Sequence, residues 1–99
     1  MFAYKIIIQN NNNFAVKLLR RNWQIFQADG IVRNVQGEGV IGLQPTIIPT
    51  AKHQYLSGCN LKTDIGKMQG IYQMQNLNSN QLFNVQIPPF ILIAPSKLN

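Results

Sequence analysis

Three glycines and a downstream proline form the segment whose residue types most directly suggest chemistry. Gly37, Gly39 and Gly42 reproduce the spacing G-x-G-x-x-G, in which backbone N–H groups hold a pyrophosphate at the start of a helix. Because Pro45 follows Gly42 so closely, no helix is expected there. Without that helix, a Rossmann-type dinucleotide site is excluded. Two interpretations stay open, a structural loop and an anion-binding loop assisted by Arg33.

Side chains that could perform acid–base or nucleophilic catalysis are few. Those present are Asp29, Glu38, Asp64, His53 and Cys59. The carboxylates fall in separate predicted loops, so a paired-carboxylate site would need distant loops to meet. A Cys–His dyad lacks an indicated orienting partner, and a single cysteine forms neither a disulfide within the chain nor a multi-thiolate zinc site. We therefore expect no enzymatic activity, no catalytic residues, no metal site and no cofactor.

Basic residues outnumber acidic ones by nine to three, and the formal net charge is +6. Such a balance favours polyanionic partners, among them nucleic acids and phosphate-containing ligands. The basic residues are nevertheless scattered along the chain. Only Arg20 and Arg21 are adjacent, and neighbours on a strand point to opposite faces. The alternative is that these residues are solvated surface charges that keep a sparsely charged chain soluble.

The elements that position these residues are predicted to be β-strands, because apolar and polar residues alternate with a period of two. The alternation is seen in residues 2–8, 14–18, 68–74 and 83–87. Strands of this kind have one dry and one wet face. Trp23 is predicted to lie in the core between sheets, in a packing role.

Turn residues divide the strands. Asp29 and Gly30 separate two apolar runs and predict a hairpin with a tight primed turn, which requires positive φ at its centre. Pro88 and Pro89 interrupt the last strand, and their missing N–H groups restrict it to a sheet edge or a bulge. About seven to eight short strands indicate an all-β fold, an antiparallel β-sandwich, with a small barrel as the alternative.

Length and hydropathy suggest a simple organisation. The 99 residues have room for one domain, taken as residues 1–99. The apolar run near the N-terminus is too short for the core of a signal peptide, and nothing approaches the roughly 20 apolar residues of a membrane span. We therefore expect a cytoplasmic protein without membrane association.

Taken in order, these segments resemble the ApaG family, small bacterial proteins that also occur as a domain within larger eukaryotic proteins. The resemblance extends over residues 4–92 and rests on residues 19–25, 37–45, 55–59, 66–74 and 87–90. It implies an immunoglobulin-like (fibronectin type III-like) antiparallel β-sandwich without an established enzymatic activity. It also implies a role as an interaction module, an association with cobalt and magnesium tolerance, and a glycine loop suspected of binding phosphate. One departure is Thr50, which follows Pro49 where the family commonly has glycine.

Two functional hypotheses follow from residues and resemblance together. The first is a non-enzymatic binding module that recognises a protein partner, with addition of a partner strand to a sheet edge as the natural mode. The second is an anion binder for a nucleotide, a polyphosphate or a nucleic acid. In either case the expected site residues are Gly37, Gly39, Gly42 and Arg33. A homodimer is left open, because low surface charge and exposed edges favour it without establishing it.

Overall fold

The computed structural model describes residues 2–94, in which every helix or strand element is a β-strand. The seven strands are β1 (Phe2–Gln9), β2 (Val16–Gln27), β3 (Val32–Glu38), β4 (Thr46–Ile47), β5 (Lys52–Cys59), β6 (Ile65–Asn76) and β7 (Leu82–Ile93). The prediction of an all-β fold with about seven to eight strands is confirmed. Within residues 2–94 no helix is long and apolar enough to cross a membrane.

The strands form two antiparallel sheets that pack as a sandwich. β1 and β5 make a two-stranded sheet, and the larger sheet has the order β3-β2-β6-β7, with β4 pairing with the start of β2. Consecutive strands β2 and β3, and likewise β6 and β7, are hairpins. Because two strands cover a sheet twice as wide, the inner face of the larger sheet is not covered along its whole width.

The core lies between the sheets and centres on Trp23, as the sequence predicts. Trp23 is buried and makes edge-to-face contacts with Tyr4 of β1, Tyr72 of β6 and Phe90 of β7, with ring centroids 5.9, 6.1 and 5.9 Å away. Aromatic pairs in this arrangement stabilise by about 1 kcal/mol each beyond the area they bury. Contacts from one tryptophan to both sheets therefore fix how the sheets sit on each other.

A β-bulge in β2 changes which side chains face the core. The pairing of β2 with β6 shifts between Leu18 and Arg20, so the inward-facing positions move from even to odd numbers. Leu18 is fully buried, but the next inward residues are Arg21 and Trp23. Of the two adjacent arginines, Arg20 consequently lies on the exposed outer face and Arg21 is partly buried on the inner one.

The last strand combines the two features expected from its prolines. β7 is an edge strand, and its pairing with β6 shifts between Met68 and Gly70, opposite Pro88 and Pro89. An edge position and a bulge both tolerate residues that cannot donate a ladder hydrogen bond. The shift turns Phe90 towards the core, where it meets Trp23.

The predicted hairpin between β2 and β3 is confirmed, but its turn is not the expected primed one. Gly30 alone has positive φ, at 90°, and its N–H donates to the Gln27 carbonyl at 3.1 Å. The Gln27 N–H in turn donates to the Ile31 carbonyl at 2.9 Å, and this bond closes a three-residue loop. A type I turn followed by a glycine bulge has this pattern. The Asp29 carboxylate accepts the Ile31 N–H at 3.1 Å and holds the loop.

Candidate binding site

The glycine motif folds into a tight hairpin. Val40 and Leu43 exchange both backbone hydrogen bonds, at 2.7 and 2.9 Å, and the two residues between them, Ile41 and Gly42, have φ of 48° and 71°. Positive φ at both central positions is the mark of a type I′ turn. No helix follows Gly42, because the next element is the short strand β4. The prediction that a Rossmann-type helix is missing here is confirmed.

Most amides of this loop already have acceptors within the loop and its neighbour strand. The N–H of Gly39 donates to the Leu19 carbonyl at 2.8 Å, and those of Val40 and Leu43 donate to each other's carbonyls. A phosphate cradle needs several N–H groups directed at one empty point. The loop therefore closes mainly on itself, and Gly39 has the positive φ, 59°, that this closure requires.

Gly37 serves a different purpose from the other two glycines. It lies in β3 opposite Arg21, and a Cβ at Gly37 would be 2.9 Å from both terminal nitrogens of the Arg21 guanidinium. The missing side chain makes room for that guanidinium, whose Nη1 donates to the carbonyls of Glu38 at 3.0 Å and Gly39 at 2.9 Å. Arg21 is thus the basic residue at the glycine loop.

Arg33 does not lie beside the glycine loop, which corrects the prediction that placed it there. It occupies the opposite end of β3, where its guanidinium donates to the Asn60 carbonyl and approaches the Cys59 Sγ at 3.9 Å. Arg33 and Gly37 are four residues apart in β3, and an extended strand keeps residues at that spacing about 13 Å apart. Gly39 and Gly42 therefore share one end of the site with Arg21, and Arg33 marks the other.

A trough connects these two ends. It is a cavity of about 200 Å³ between the inner face of β3 and the second half of β5, and we call it the β3–β5 trough. The residues that line it and matter below are Arg21, Arg33, Val35, Ser57 and Cys59. β1 packs on the larger sheet through the contacts of Tyr4 with Trp23 and Phe90, and within residues 2–94 β3 and β5 do not pair with each other, which leaves the trough between them.

The trough is electropositive. Arg21 and Arg33 both line it, and all their hydrogen-bond acceptors within residues 2–94 are uncharged. The hydroxyl groups of Tyr55 and Tyr72 form a hydrogen bond between the sheets and lie close enough to Arg21 to interact with its charge. Burial raises the pKa of both tyrosines, so both hydroxyls stay neutral near pH 7. The guanidinium charge is not compensated by these groups.

The residues that could form a nucleophilic dyad lie far apart. His53 and Cys59 both belong to β5 and are separated by six residues, or about 20 Å along an extended strand. Burial raises the pKa of the Cys59 thiol, which keeps it in its less reactive neutral form. Among the described residues no group of three or more His, Cys, Asp or Glu side chains is placed to hold a metal ion.

A larger depression, of about 440 Å³, lies on the outer face of the larger sheet at the proline bulge. Its polar lining consists of amide side chains, among which the Gln69 Nε2 donates to the Gln24 Oε1 at 2.9 Å. Among the described residues that line it, none has an ionisable side chain. It therefore lacks the positive charge that Arg21 and Arg33 give the β3–β5 trough.

Replacing Ile41 by asparagine is expected to stabilise the protein by about 1 kcal/mol. Ile41 has a φ of 48° and is 57% exposed, and positive φ is strained for a β-branched residue, whereas asparagine tolerates it in type I′ turns. Urea denaturation would measure the change in the free energy of unfolding. The Leu43→Asn variant, at an exposed position of the same hairpin without positive φ, is the control and should gain nothing. An equal gain in both variants would contradict the interpretation.

Comparison with known proteins decides the family. Residues 1–76 match the model of the ApaG domain. This chain belongs to the ApaG family. Protein ApaG of Pseudomonas putida is 45% identical over 98 residues, covering 99% of this chain and 77% of that protein. Protein ApaG of Proteus mirabilis is 44% identical over 99 residues, covering 100% of this chain and 78% of that protein.

Solved structures place the chain within the ApaG fold. A protein solved by X-ray crystallography as a structural-genomics target superimposes with a TM-score of 0.92 at 43% identity, covering 98% of this chain and 73% of that one. A Bordetella pertussis protein described as ApaA superimposes with a TM-score of 0.89 at 36% identity, covering 94% and 75%. The resemblance to the ApaG family noted in the sequence is thereby confirmed. Thr50, at the position where that resemblance expects glycine, has a φ of 69°.

The most important residue of the trough, Arg21, was not among the predicted site residues. Strict alternation cannot tell which of two adjacent arginines faces inward, because one extra residue in the strand reverses the answer. A weak signal existed in the consecutive apolar residues Leu18 and Leu19, which break the alternation where the bulge occurs.

Proposed function

We propose that this protein is a non-enzymatic binding module that holds an extended segment of a protein partner in the β3–β5 trough. The observation that supports this most directly is a pair of strand edges on the same side of the sandwich. β3 is the edge strand of the larger sheet, and within residues 2–94 β5 pairs only with β1. Both edges carry backbone groups that a further strand can satisfy.

A strand added to β5 would complete the smaller sheet over the uncovered part of the larger one. Its inward side chains would enter the trough and face Val35, an apolar residue on the inner face of β3 that is 38% exposed. Burying apolar surface contributes about 25 cal/mol for each Å² removed from water. Backbone pairing gives affinity in this mode, and the pockets give specificity.

Two observations favour a binding module over an enzyme or a loop-based nucleotide site. Within residues 2–94 no group of three or more His, Cys, Asp or Glu side chains is placed to hold a metal ion, and the only thiol lies far from the only imidazole. The glycine loop uses most of its amides to close its own hairpin. An anionic ligand would therefore be held by arginine side chains in the trough. The second hypothesis, an anion binder, thus applies to the trough and not to the glycine loop.

Replacing Val35 by lysine is expected to weaken peptide binding in the trough strongly. A library of random peptides displayed on phage would be selected against the native protein, and the enriched peptides would be synthesised and titrated. A lysine at Val35 fills the trough and points a charge inward, which is how natural edge strands prevent pairing. We expect affinity to fall by at least about tenfold, the effect of losing one good contact.

The matched control is Val32→Lys. Val32 lies in the same strand, is 49% exposed and faces the opposite side of the sheet from Val35. Selected peptides should bind this variant as they bind the native protein. Enrichment of no peptides, or of peptides that bind the Val35→Lys variant unchanged, would refute strand addition at this trough.

A further inference from the structure

We propose that the segment bound in the trough is acidic, with two carboxylates four residues apart and an apolar residue midway between them. This inference rests on the proposed function and specifies the chemistry of the partner. Its basis is the order of groups along the inner face of β3, with Arg33 at one end, Val35 in the middle and the guanidinium of Arg21, from β2, over Gly37 at the other end.

The spacing comes from the register of β3 on β2. The inward-facing residues Arg33, Val35 and Gly37 lie opposite Ile25, Trp23 and Arg21, respectively. The Arg21 guanidinium rests on Gly37, so the two arginines mark strand positions that are four residues apart. That is about 13 Å along an extended chain. A partner strand has the same rise for each residue, so its side chains four residues apart meet the two positions.

The partner is expected to carry negative charge, because the guanidinium groups of the trough have only uncharged hydrogen-bond acceptors within residues 2–94. Arg21 makes both of its hydrogen bonds through Nη1, to uncharged carbonyls, and no other acceptor for its guanidinium lies within residues 2–94. Arg33 is similarly bonded to one carbonyl and one thiol. A guanidinium binds a carboxylate through two parallel hydrogen bonds, about twice as strong as bonds between neutral groups. The net charge of +6 adds long-range attraction for an acidic segment.

The middle of the trough selects an apolar residue. Val35 lies between the two charged positions and opposite the buried Trp23. A polar side chain placed there would lose water without gaining a partner, which is unfavourable. A single inorganic phosphate is far smaller than the separation of about 13 Å between the two positions, so it can occupy one end of the trough but cannot reproduce contacts at both.

The test uses three blocked heptapeptides. The first has glutamate at its second and sixth positions, valine at its fourth and threonine elsewhere. The second replaces both glutamates by glutamine, and the third moves the second glutamate by one position so that the two acids face opposite sides of the strand. Titration of the native protein at low salt should show at least about tenfold tighter binding of the first peptide than of either other. The difference should shrink as salt is raised.

Protein variants locate the effect. Arg33→Gln and Arg21→Gln should each remove most of the preference for the first peptide, whereas Arg20→Gln, which changes the adjacent arginine on the outer face, should leave it unchanged. Arg33 is exposed, so its variant is informative even if Arg21→Gln fails to fold. A thermal unfolding curve for each variant separates loss of structure from loss of binding.

Failure of this inference can be told apart from failure of the proposed function. Phage-selected peptides that depend on Val35 but carry no acidic pair, and that bind the Arg33→Gln variant unchanged, would overturn the inference and leave the binding module intact. Equal affinity for the glutamate and glutamine peptides would also overturn it. So would an Arg20→Gln variant that weakens binding as much as Arg33→Gln does, since general charge attraction would then account for the preference.

Discussion

The Gly39→Ala variant is expected to lose about 3 kcal/mol or more of its free energy of unfolding. A Cβ at this position would collide with the backbone carbonyl of Leu43, which is held by the hairpin and cannot rotate away. The φ of 59° adds a second cost for any residue with a side chain. Urea denaturation at neutral pH would measure the loss, and peptide titration would show whether the Arg21 end of the trough is displaced with the loop.

Gly42→Ala is the control that separates these two causes. Gly42 also has positive φ, 71°, but a Cβ there would meet nothing within 4 Å. Only the conformational cost remains, and we expect a loss of about 1 kcal/mol. If both variants lost the same amount, the collision with the Leu43 carbonyl would not be the cause, and the hairpin would have to be able to rearrange around a larger residue.

The protein is expected to unfold at alkaline pH, with Tyr72 as the main cause. Burial and the hydrogen bond to Tyr55 raise the pKa of the Tyr72 hydroxyl, and burial also raises the pKa of Tyr55. The unfolded chain releases these protons above about pH 10, while the folded chain retains them. The free energy of unfolding should therefore be constant with respect to these groups below about pH 10, and should fall above it by about 1 kcal/mol for each pH unit and group.

A double-mutant cycle on this pair provides the measurement and its control. Tyr72→Phe removes one titrating group, so the fall in stability above pH 10 should be shallower than in the native protein, although the variant should lose about 1 kcal/mol at pH 7 with its hydrogen bond. Tyr55→Phe and the double variant complete the cycle and isolate the energy of the hydroxyl pair. If the free energy of unfolding of the double variant fell above about pH 10 as steeply as that of the native protein, these tyrosines would be ruled out as the cause.

Much of the fold could be predicted because it depends on local patterns in the amino-acid sequence. A period of two over β1, β6 and the start of β2 identifies strands with one buried face, and the structure buries Leu18, Met68 and Met74, which lie in these alternating segments. A proline pair cannot occupy a central strand, and Asp29 with Gly30 terminates one strand and begins the next. Each of these inferences depends only on neighbouring residues, and a local pattern is enough to decide them.

The candidate site was predicted only in part, because its residues come together through pairing between distant segments. Gly37 and Gly39 were identified, but their role was assigned to loop amides that in fact close the hairpin. Arg33 was expected at the wrong end of β3. Arg21 was missed because the bulge in β2, which turns it inward, depends on how β6 pairs with it.

The amino-acid sequence by itself determined that this chain folds into antiparallel strands around Trp23, with a helix-free glycine loop, because alternation, turn residues and proline act over a few neighbouring positions. Only the tertiary structure decided that two arginines line one trough. Their convergence requires a register shift in β2, a glycine beneath one guanidinium and a smaller sheet that leaves β3 uncovered. None of these conditions is local, since each is set by how strands far apart in the chain pack and pair.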